Sequence, residues 1–357
     1  MEKNSKIFLT GAHGMVGSAI KRKLTEEGYT NVLCPSSQEL NLINQAETEA
    51  FFKENQPEYV FLAAAKVGGV LANSTYKADF IYNNLMISTN VIHFAYEYNA
   101  KRLLNLASSC VYPRDAKQPI KEETMLSNYP EETVEPYSIA KIAAIKQCSF
   151  YNFQYKTDFI SLIPVNLFGF NDNFDLETSH LIPALIRKMI LAKALMEDDF
   201  DLILKDIKLH KLGFGLDAKI KTKNKIAIMD ALRSIGIFAD EIEFWGTGMA
   251  KREFMYSDDV ADACLFFMSN VPAKQGGDFI NIGSGKELSV KQTIGIIAEI
   301  LGYTGKIEFN PLKPEGVSRK LLDSKKANDL GWKYKTEFED GLKKVIANYL
   351  QILKQSH

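Results

Sequence analysis

The strongest constraint on the fold is an early alternation of short apolar segments with amphipathic ones, which begins at a glycine-rich turn. The segment from Lys6 to Leu9 is apolar enough for a short buried strand, and GAHGMVG follows it at once. An amphipathic run from Ser18 to Glu27 then ends at Gly28, as a helix would. This order predicts a strand, a tight turn and a helix at the start of the chain.

The same alternation continues along the first half of the chain. Further strands are predicted at residues 31–34, 59–62, 103–106 and 159–164, and helices at residues 45–55, 85–98 and 136–154. Strands that alternate with helices predict an α/β fold with a doubly wound parallel sheet of the Rossmann type. We expect this dinucleotide-binding domain to span residues 1–170, with some later segments returning to it.

A smaller α/β part, which we expect to bind substrate, is predicted for residues 171–357. It includes an inserted, lysine-rich segment at residues 198–240, with lysines at 205, 208, 211, 219, 221, 223 and 225. A run of charges usually forms a solvated face. We therefore interpret the insertion as a solvated subdomain rather than as a direct participant in the chemistry.

Composition and charge exclude several classes of function. The 43 Lys and Arg residues nearly balance the 44 Asp and Glu residues, so no overall field would attract nucleic acid or an anionic membrane surface. Neither a secretory signal nor an apolar run long enough to span a membrane is recognised, and the four cysteines form no Cys-x-x-Cys pair. We expect a cytoplasmic protein with free thiols, no metal site, no nucleic-acid partner and no membrane partner.

The glycine-rich turn indicates a dinucleotide cofactor. Glycines allow a tight turn and let the backbone approach a pyrophosphate, which then lies against the N-terminus of the helix. The turn comprises Gly11, His13, Gly14, Met15, Val16 and Gly17. Because it follows a predicted strand and opens a predicted helix, the sequence favours cofactor binding over a purely structural turn.

The end of the second predicted strand favours NADP(H) over NAD(H). NAD-specific sites usually place an acidic residue there for the ribose hydroxyls, whereas this chain has Cys34, Pro35, Ser36 and Ser37. The two serine hydroxyls could donate to a 2′-phosphate, and His13 could add a cation. The absence of an arginine at this point keeps NAD(H) open.

A second group of residues indicates reduction of a carbonyl. Tyr137 and Lys141 are four positions apart and therefore share one face of a predicted helix. Lys141 is expected to lower the pKa of the Tyr137 phenol and so make it a usable proton donor. Ser108 follows a predicted strand, at the edge where open sheets bind ligands, and could hydrogen-bond the same carbonyl oxygen.

Together these segments resemble the extended short-chain dehydrogenases/reductases, and among them the GDP-L-fucose synthase family of 3,5-epimerase-4-reductases. The stretches that carry the resemblance run through nearly the whole chain in family order: GAHGMVGSAI, AAAKVGGVLAN, ADFIYNN, SSCVYP, AKQPI, EPYSIAKIAAIK, PVNLFG, DNF, SHLIPALIRK, REF and RKLLD. The resemblance implies NADPH-dependent reduction of the 4-keto group of a GDP-linked 4-keto-6-deoxy sugar.

The resemblance also implies roles for individual residues. Ser108, Tyr137 and Lys141 match the family's reduction triad, and Cys110 and His180 match its epimerisation pair. The implied contacts to GDP or sugar are Lys188, Trp245, Arg252 and Asp323, with Lys188 standing where the family often has an arginine. The implied contacts to the cofactor, besides the glycine-rich turn, are Ser36, Ser37, Asn41, Leu42, Ala63, Ala64, Ala65, Lys141, Pro164, Asn166, Leu167 and His180.

The chain departs from the family in the long connection between His180 and Trp245. An insertion beside the sugar site could reshape it, so a GDP-linked 4-keto-heptose is an alternative substrate. Cys110 and His180 permit epimerisation without requiring it, so a C4-reductase without epimerase activity also stays open. Two further alternatives are a non-catalytic NADP(H) sensor or scaffold and a 4-epimerase that holds NAD tightly.

The resemblance finally implies an assembly and a pathway. The predicted helices at residues 85–98 and 136–154 resemble the pair that forms a four-helix dimer contact in this family, so a homodimer is expected. Deoxysugars of this type normally supply surface polysaccharides.

Overall fold

The computed structural model describes residues 1–220, 224–313 and 316–355. Lys221 and Lys223 of the lysine-rich segment lie outside these ranges. In chain order, strands β1–β12 span Ile7–Thr10, Val32–Leu33, Tyr59–Leu62, Arg102–Leu106, Phe159–Pro164, Asn166–Phe168, Glu241–Trp245, Lys251–Tyr256, Ile280–Ile282, Glu287–Ser289, Lys306–Asn310 and Arg319–Lys320. Helices α1–α13 span Met15–Glu26, Gln45–Asn55, Val70–Thr75, Lys77–Glu97, Glu135–Tyr155, Leu181–Met196, Phe200–Leu209, Lys225–Ser234, Ser257–Asn270, Ala273–Gly276, Val290–Leu301, Lys325–Asp329 and Phe338–Gln355.

The chain divides into two compact units. The first contains Met1–Asn171, Glu253–Lys286 and Leu321–Thr336, and the second contains Asp172–Arg252, Glu287–Lys320 and Glu337–His357. The chain therefore leaves the first unit and returns to it twice.

The first unit is built on a parallel sheet with the strand order β2-β1-β3-β4-β5-β9. The order reverses at β1, where the chain moves from one side of the sheet to the other, as in doubly wound folds. This confirms the predicted fold class. Ligands of such sheets bind at the carboxyl ends of the strands near this reversal.

Apolar helices cover the sheet. Helices α1 and α9 pack together, and their buried residues Ile20, Leu24, Val260 and Cys264 join one core cluster with strand residues. Helices α2, α4 and α5 contribute to a second cluster that contains Phe52. Strands buried by helices in this way are mostly apolar, which is why the sequence predicted them.

Helix α4 begins eight residues before the predicted start at Leu85. Asn83 and Asn84 disfavoured a helix by propensity. The Asn84 side chain is buried and holds the backbone of Lys66 from both sides, donating to its carbonyl and accepting from its N–H at 3.0 Å each. A long-range contact therefore overrides the local preference.

The second unit contains the parallel pair β7–β11 and helices α6, α7, α8, α11 and α13. The predicted insertion folds as α7 and α8 with connecting turns. Its lysines at 208, 211, 219 and 225 are exposed, in agreement with a solvated face. No helix in the described ranges is long and apolar enough to cross a membrane.

Candidate active site

The glycine-rich turn between β1 and α1 leaves no room for side chains at two positions. Gly11 has φ +69°, and a Cβ there would lie 2.9 Å from the Ala64 backbone nitrogen. A Cβ on Gly17 would lie 2.0 Å from the Gly11 carbonyl oxygen. Gly14 precedes the helix, and no side chain caps the first turn of α1. The turn therefore presents bare backbone and a positive helix end to an anion, which fits the pyrophosphate of a dinucleotide.

The backbone of β3 is held close to this turn. The Thr10 hydroxyl accepts from the backbone N–H groups of Ala63 and Ala64 at 3.0 and 2.9 Å. Two of the alanines predicted to border the cofactor are thereby fixed beside Gly11.

The expectation that no carboxylate lies at the end of the second strand is wrong. Glu39 accepts a hydrogen bond from the Ser36 backbone N–H at 2.7 Å. Hydrogen bonds from Ser36 lower the pKa of Glu39, and the nearby charge of His13 lowers it further. The turn after Leu40 is held against helix α4, since the Leu42 carbonyl accepts from the Asn90 side-chain amide at 2.9 Å. The residues at this strand end therefore do not by themselves select NADP(H) over NAD(H).

Ser108, Tyr137 and Lys141 lie together at the carboxyl end of β4. The Ser108 hydroxyl hydrogen-bonds the Tyr137 phenol and also accepts from the Cys110 backbone N–H at 3.3 Å. The Lys141 ammonium lies 5.7 Å from the centre of the Tyr137 ring and donates to the Leu106 carbonyl at 2.8 Å. A hydroxyl, a phenol and an ammonium therefore converge at the edge of the sheet.

The charges of this cluster differ from the sequence expectation. Burial raises the pKa of Tyr137, and the adjacent Cys110 raises it further, while the Ser108 hydrogen bond acts in the opposite direction. Burial also lowers the pKa of Lys141, to about 8. The predicted lowering of the Tyr137 pKa by Lys141 is therefore wrong in this structure, because desolvation of the phenolate is the largest effect.

The Cys110 thiol is half-buried and close enough to Tyr137 to affect its ionisation. It lies in a single 3-10 turn, Ser109–Val111, which Ser108 caps at its N-terminal end. The Ser138 hydroxyl donates to the Cys110 carbonyl at 2.9 Å and so connects this turn to α5. A thiol is thus fixed next to the predicted proton donor.

His180 is the residue that immediately precedes α6 in the second unit, and its side chain makes no capping hydrogen bond. The imidazole is exposed, yet surrounding protein atoms desolvate it and lower its pKa. The neutral form therefore predominates at pH 7.

The residues of the second unit that were predicted to contact the nucleotide or sugar already contact other groups of the protein. Lys188 donates to the Glu243 carbonyl at 2.9 Å, lies over the Phe244 ring, and has a pKa lowered to about 8 by burial. Trp245 is 55% exposed, with the Lys313 ammonium 5.8 Å from its ring centre. Arg252 donates to the Lys251 carbonyl at 2.8 Å. The exposed face of this indole on β7 is available to a ligand.

Other predicted residues belong to the first unit. The Asp323 carboxylate accepts from the Lys325 backbone N–H at 2.9 Å. Asn166, on β6, donates its side-chain amide to the Glu253 carbonyl at 3.2 Å. The remaining predicted cofactor contacts, Ala65, Ser37, Asn41, Pro164 and Leu167, also lie in this unit.

Sequence reasoning missed Glu253, a fully buried carboxylate. It accepts from the backbone N–H groups of Gly285 at 2.6 Å and Leu322 at 2.9 Å. A Cβ on Gly283 would lie 2.4 Å from the same carboxylate. Burial raises its pKa, although these hydrogen bonds oppose the shift. Its position in the REF stretch, beside Arg252, was the signal that could have identified it.

Asp172 was also missed. Burial raises its pKa to about 7, and its carboxylate accepts from the Asn173 backbone N–H at 2.8 Å. It begins the segment that leads to His180. The DNF stretch contains it, but spacing alone assigned it no role.

Comparison with known proteins agrees with these features. The model of the NAD dependent epimerase/dehydratase family matches residues 7–204 and 215–283. GDP-L-fucose synthase 1 of Arabidopsis thaliana is 43% identical over 350 residues, covering 98% of this chain and 94% of the relative. GDP-L-fucose synthase of Escherichia coli is 37% identical over 352 residues, covering 97% of both chains.

A solved structure is similar over the same extent. MlghC, a GDP-mannoheptose C4 reductase from Campylobacter jejuni with NADP bound, is 39% identical with a TM-score of 0.86, covering 98% of this chain and 99% of that one. The matches extend through both units. The chain therefore belongs to the NAD dependent epimerase/dehydratase family and, within it, to the GDP-L-fucose synthase family of extended short-chain dehydrogenases/reductases.

Proposed function

We propose that this protein uses NADPH to reduce the 4-keto group of a GDP-linked 4-keto-6-deoxy sugar. The observation that carries the proposal is the cluster of Ser108, Tyr137 and Lys141 at the carboxyl end of β4. The relatives are GDP-L-fucose synthases, and the similar solved structure is a GDP-mannoheptose C4 reductase with NADP bound. Sugars of six and of seven carbons are both within this class.

The cofactor fits the turn between β1 and α1, because the bare backbone of this turn and the N-terminus of α1 suit a pyrophosphate. When bound, NADPH supplies the hydride that the sugar takes up at carbon 4. Lys141 is the residue that would hold the nicotinamide ribose, and Asn166 and Leu167 are the residues that would border the nicotinamide. The preference for NADPH over NADH is supported by the similar solved structure with NADP bound.

Tyr137 is suited to the reductive direction. As hydride reaches carbon 4, negative charge develops on the carbonyl oxygen, and a phenol within hydrogen-bond reach can donate its proton there. The raised pKa of Tyr137 keeps the phenol protonated at pH 7. The Ser108 hydroxyl, which already contacts Tyr137, can donate to the same oxygen. The products are the 4-hydroxy sugar and oxidised cofactor.

Epimerisation is the second candidate activity, and the position of Cys110 next to Tyr137 favours it. A 4-ketone acidifies the protons on carbons 3 and 5, so a base and an acid near neutral pH can exchange them. Cys110 and His180 are the residues assigned to these roles. The neutral imidazole favoured by the lowered His180 pKa is able to accept a proton.

We also propose a homodimer built on α4 and α5. Ile139, Phe150 and Phe153 are exposed on α5, the last two by 64% and 80%, and Tyr82 is exposed on α4. The three α5 residues lie at intervals of eleven and three, which places them on one helix face. An exposed apolar stripe on a packed helix pair suits burial against a second copy. We further propose that the enzyme acts in the cytoplasm and that its product is used to make polysaccharides.

Replacing Tyr137 with Phe should lower kcat for NADPH oxidation at least ~100-fold, because the proton donor is lost. The measurement follows nicotinamide absorbance with GDP-4-keto-6-deoxymannose and with GDP-4-keto-6-deoxy-mannoheptose. Tyr129→Phe, which changes an exposed tyrosine in a loop, is the control. Full turnover by Tyr137→Phe would refute the assignment. If the wild-type protein bound NADPH but did not oxidise it in the presence of either sugar, a non-catalytic sensor would be supported instead.

Replacing Cys110 with Ser should slow the uptake of solvent deuterium at carbons 3 and 5 about 100-fold, because a serine hydroxyl is a far weaker acid-base group. The oxidation of the 4-hydroxy product by NADP⁺ should be retained, since it needs no exchange at these carbons. Mass spectrometry and NMR of the sugar measure both reactions. Deuterium uptake by the variant at the wild-type rate would exclude Cys110 as the base.

Replacing Glu39 with Gln should lower the KM for NADPH about threefold and leave the KM for NADH nearly unchanged. The substitution keeps an acceptor for the Ser36 N–H but removes a negative charge near the expected 2′-phosphate. Steady-state kinetics with the two cofactors checks this. An equal change in both KM values would show that Glu39 does not face the 2′-phosphate.

Replacing Phe150 and Phe153 together with Glu should convert the dimer to monomers, because charges would be buried in the contact. Light scattering at several protein concentrations measures the mass. Tyr129→Glu alters a residue that is 81% exposed but lies outside the stripe, and should leave the mass unchanged. A monomeric wild-type protein would contradict the proposed assembly.

A further inference from the structure

The inserted segment contacts the loop that leads to His180. This loop, Asp172–Ser179, precedes α6 and ends at the predicted epimerisation residue. The family model matches the chain up to residue 204 and again from residue 215, so residues 205–214 of the inserted segment lie outside the family match. Both the loop and the addition belong to the second unit.

The first contact is made by Arg187, which is fully buried on α6. Its guanidinium makes four hydrogen bonds and a further ion-pair contact. Nε and Nη2 contact Asp206 at 2.8 Å each, and Nη1 donates to the Phe174 carbonyl at 2.8 Å. The remaining donors reach the carbonyls of His210 at 2.8 Å and Lys211 at 2.5 Å. One guanidinium therefore joins α6, the His180 loop and the inserted residues.

The acceptors show which part of the chain satisfies Arg187. Apart from Phe174, they all lie in the residues that the family model leaves unmatched. Asp206 is itself fully buried and accepts from the Tyr349 hydroxyl at 2.6 Å, which connects α13 to the same charge pair. A buried guanidinium that lost these partners would remain as an uncompensated charge. The insertion is therefore required for the way in which α6 packs.

The second contact lies at the surface. Glu177, three residues before His180, accepts from the Phe214 backbone N–H at 2.8 Å. Gly213, Phe214 and Gly215 all have positive φ, at +79°, +52° and +69°. A Cβ on Gly213 would lie 2.5 Å from the Glu177 Cβ. Phenylalanine rarely adopts such a conformation, so the surrounding contacts must hold the backbone there.

We propose that the inserted segment is a brace for the His180 loop, in which Arg187 and Glu177 are positioning residues that hold His180 for proton exchange with the sugar. The inference rests on the proposed function. It assigns the insertion a role in epimerisation that its solvated lysines do not indicate. The buried end of the brace fixes Phe174, near the start of the loop, and the surface end fixes Glu177, near its finish.

The test uses variants at the surface end, since a change at Arg187 can prevent folding. Glu177→Ala removes the acceptor for the Phe214 N–H, whereas Glu177→Gln retains one. Glu299→Ala, on the exposed face of α11 in the same unit, is the matched control. Each variant is assayed for deuterium uptake at carbons 3 and 5 of the 4-keto sugar and, separately, for NADP⁺-dependent oxidation of the 4-hydroxy product. Amide hydrogen exchange of residues 172–180 is measured in parallel.

In Glu177→Ala, deuterium uptake should fall about tenfold, because small displacements of a catalytic group are costly, while product oxidation stays within twofold. The amides of residues 172–180 should exchange faster. Glu177→Gln and Glu299→Ala should behave as wild type. Equal losses in both reactions, or unchanged uptake and unchanged amide exchange in Glu177→Ala, would overturn the brace.

The wild-type protein separates this inference from the proposed function. NADPH oxidation without any deuterium uptake would overturn the role given to His180 and leave the reductase intact. No NADPH oxidation with either GDP-4-keto sugar would instead overturn the proposed function itself.

Discussion

The close contact between the Gly11 carbonyl and Gly17 is the constraint on which the cofactor end of the molecule depends. Since a Cβ on Gly17 would lie 2.0 Å from that carbonyl, the first turn of α1 can approach β1 only through glycine. Thr10, the last residue of β1, holds Ala63 and Ala64 of the neighbouring strand end. The strand ends, the turn and the helix N-terminus therefore form one rigid backbone surface, and the polar groups after β4 lie at the same edge of the sheet.

The sequence was sufficient to predict this part of the fold, because the signals are local. Buried parallel strands are mostly apolar along their length, and the glycines and the Tyr137–Lys141 spacing can be read directly from the chain. The predicted start of α4 was less accurate. Asn84 is buried and hydrogen-bonds Lys66, which lies 18 positions earlier in the sequence. Such contacts depend on the folded chain, and local propensity does not contain them.

The electrostatics of the site was predicted less well, for two separate reasons. The Glu39 carboxylate returns to Ser36 through a turn whose geometry the sequence did not reveal. For Tyr137, the sequence identified the correct neighbour but gave no measure of burial, and burial determines the direction of the pKa shift. Tyr137 and Lys141 were predicted from their spacing and Ser108 from its position after a strand, whereas the charges of these groups required the structure. Arg187 is a similar case: beside Lys188 in the sequence it looks like a surface cation, yet it is fully buried.

The raised pKa of Tyr137 has a consequence for the division of labour in the site. A phenol that resists ionisation is a poor base, so it is unsuited to removing protons from carbons 3 and 5, although it can donate one to the oxygen at carbon 4. The proposed proton removal from carbon therefore requires other groups, and a thiolate and a neutral imidazole are each able to accept a proton. The two groups differ in how they are held. Cys110 is fixed by a short turn next to Tyr137, whereas His180 follows a loop that is connected to the insertion by Arg187 and Glu177. The proposed reduction thus depends on the sheet edge, and the proposed epimerisation depends in addition on how firmly that loop is held.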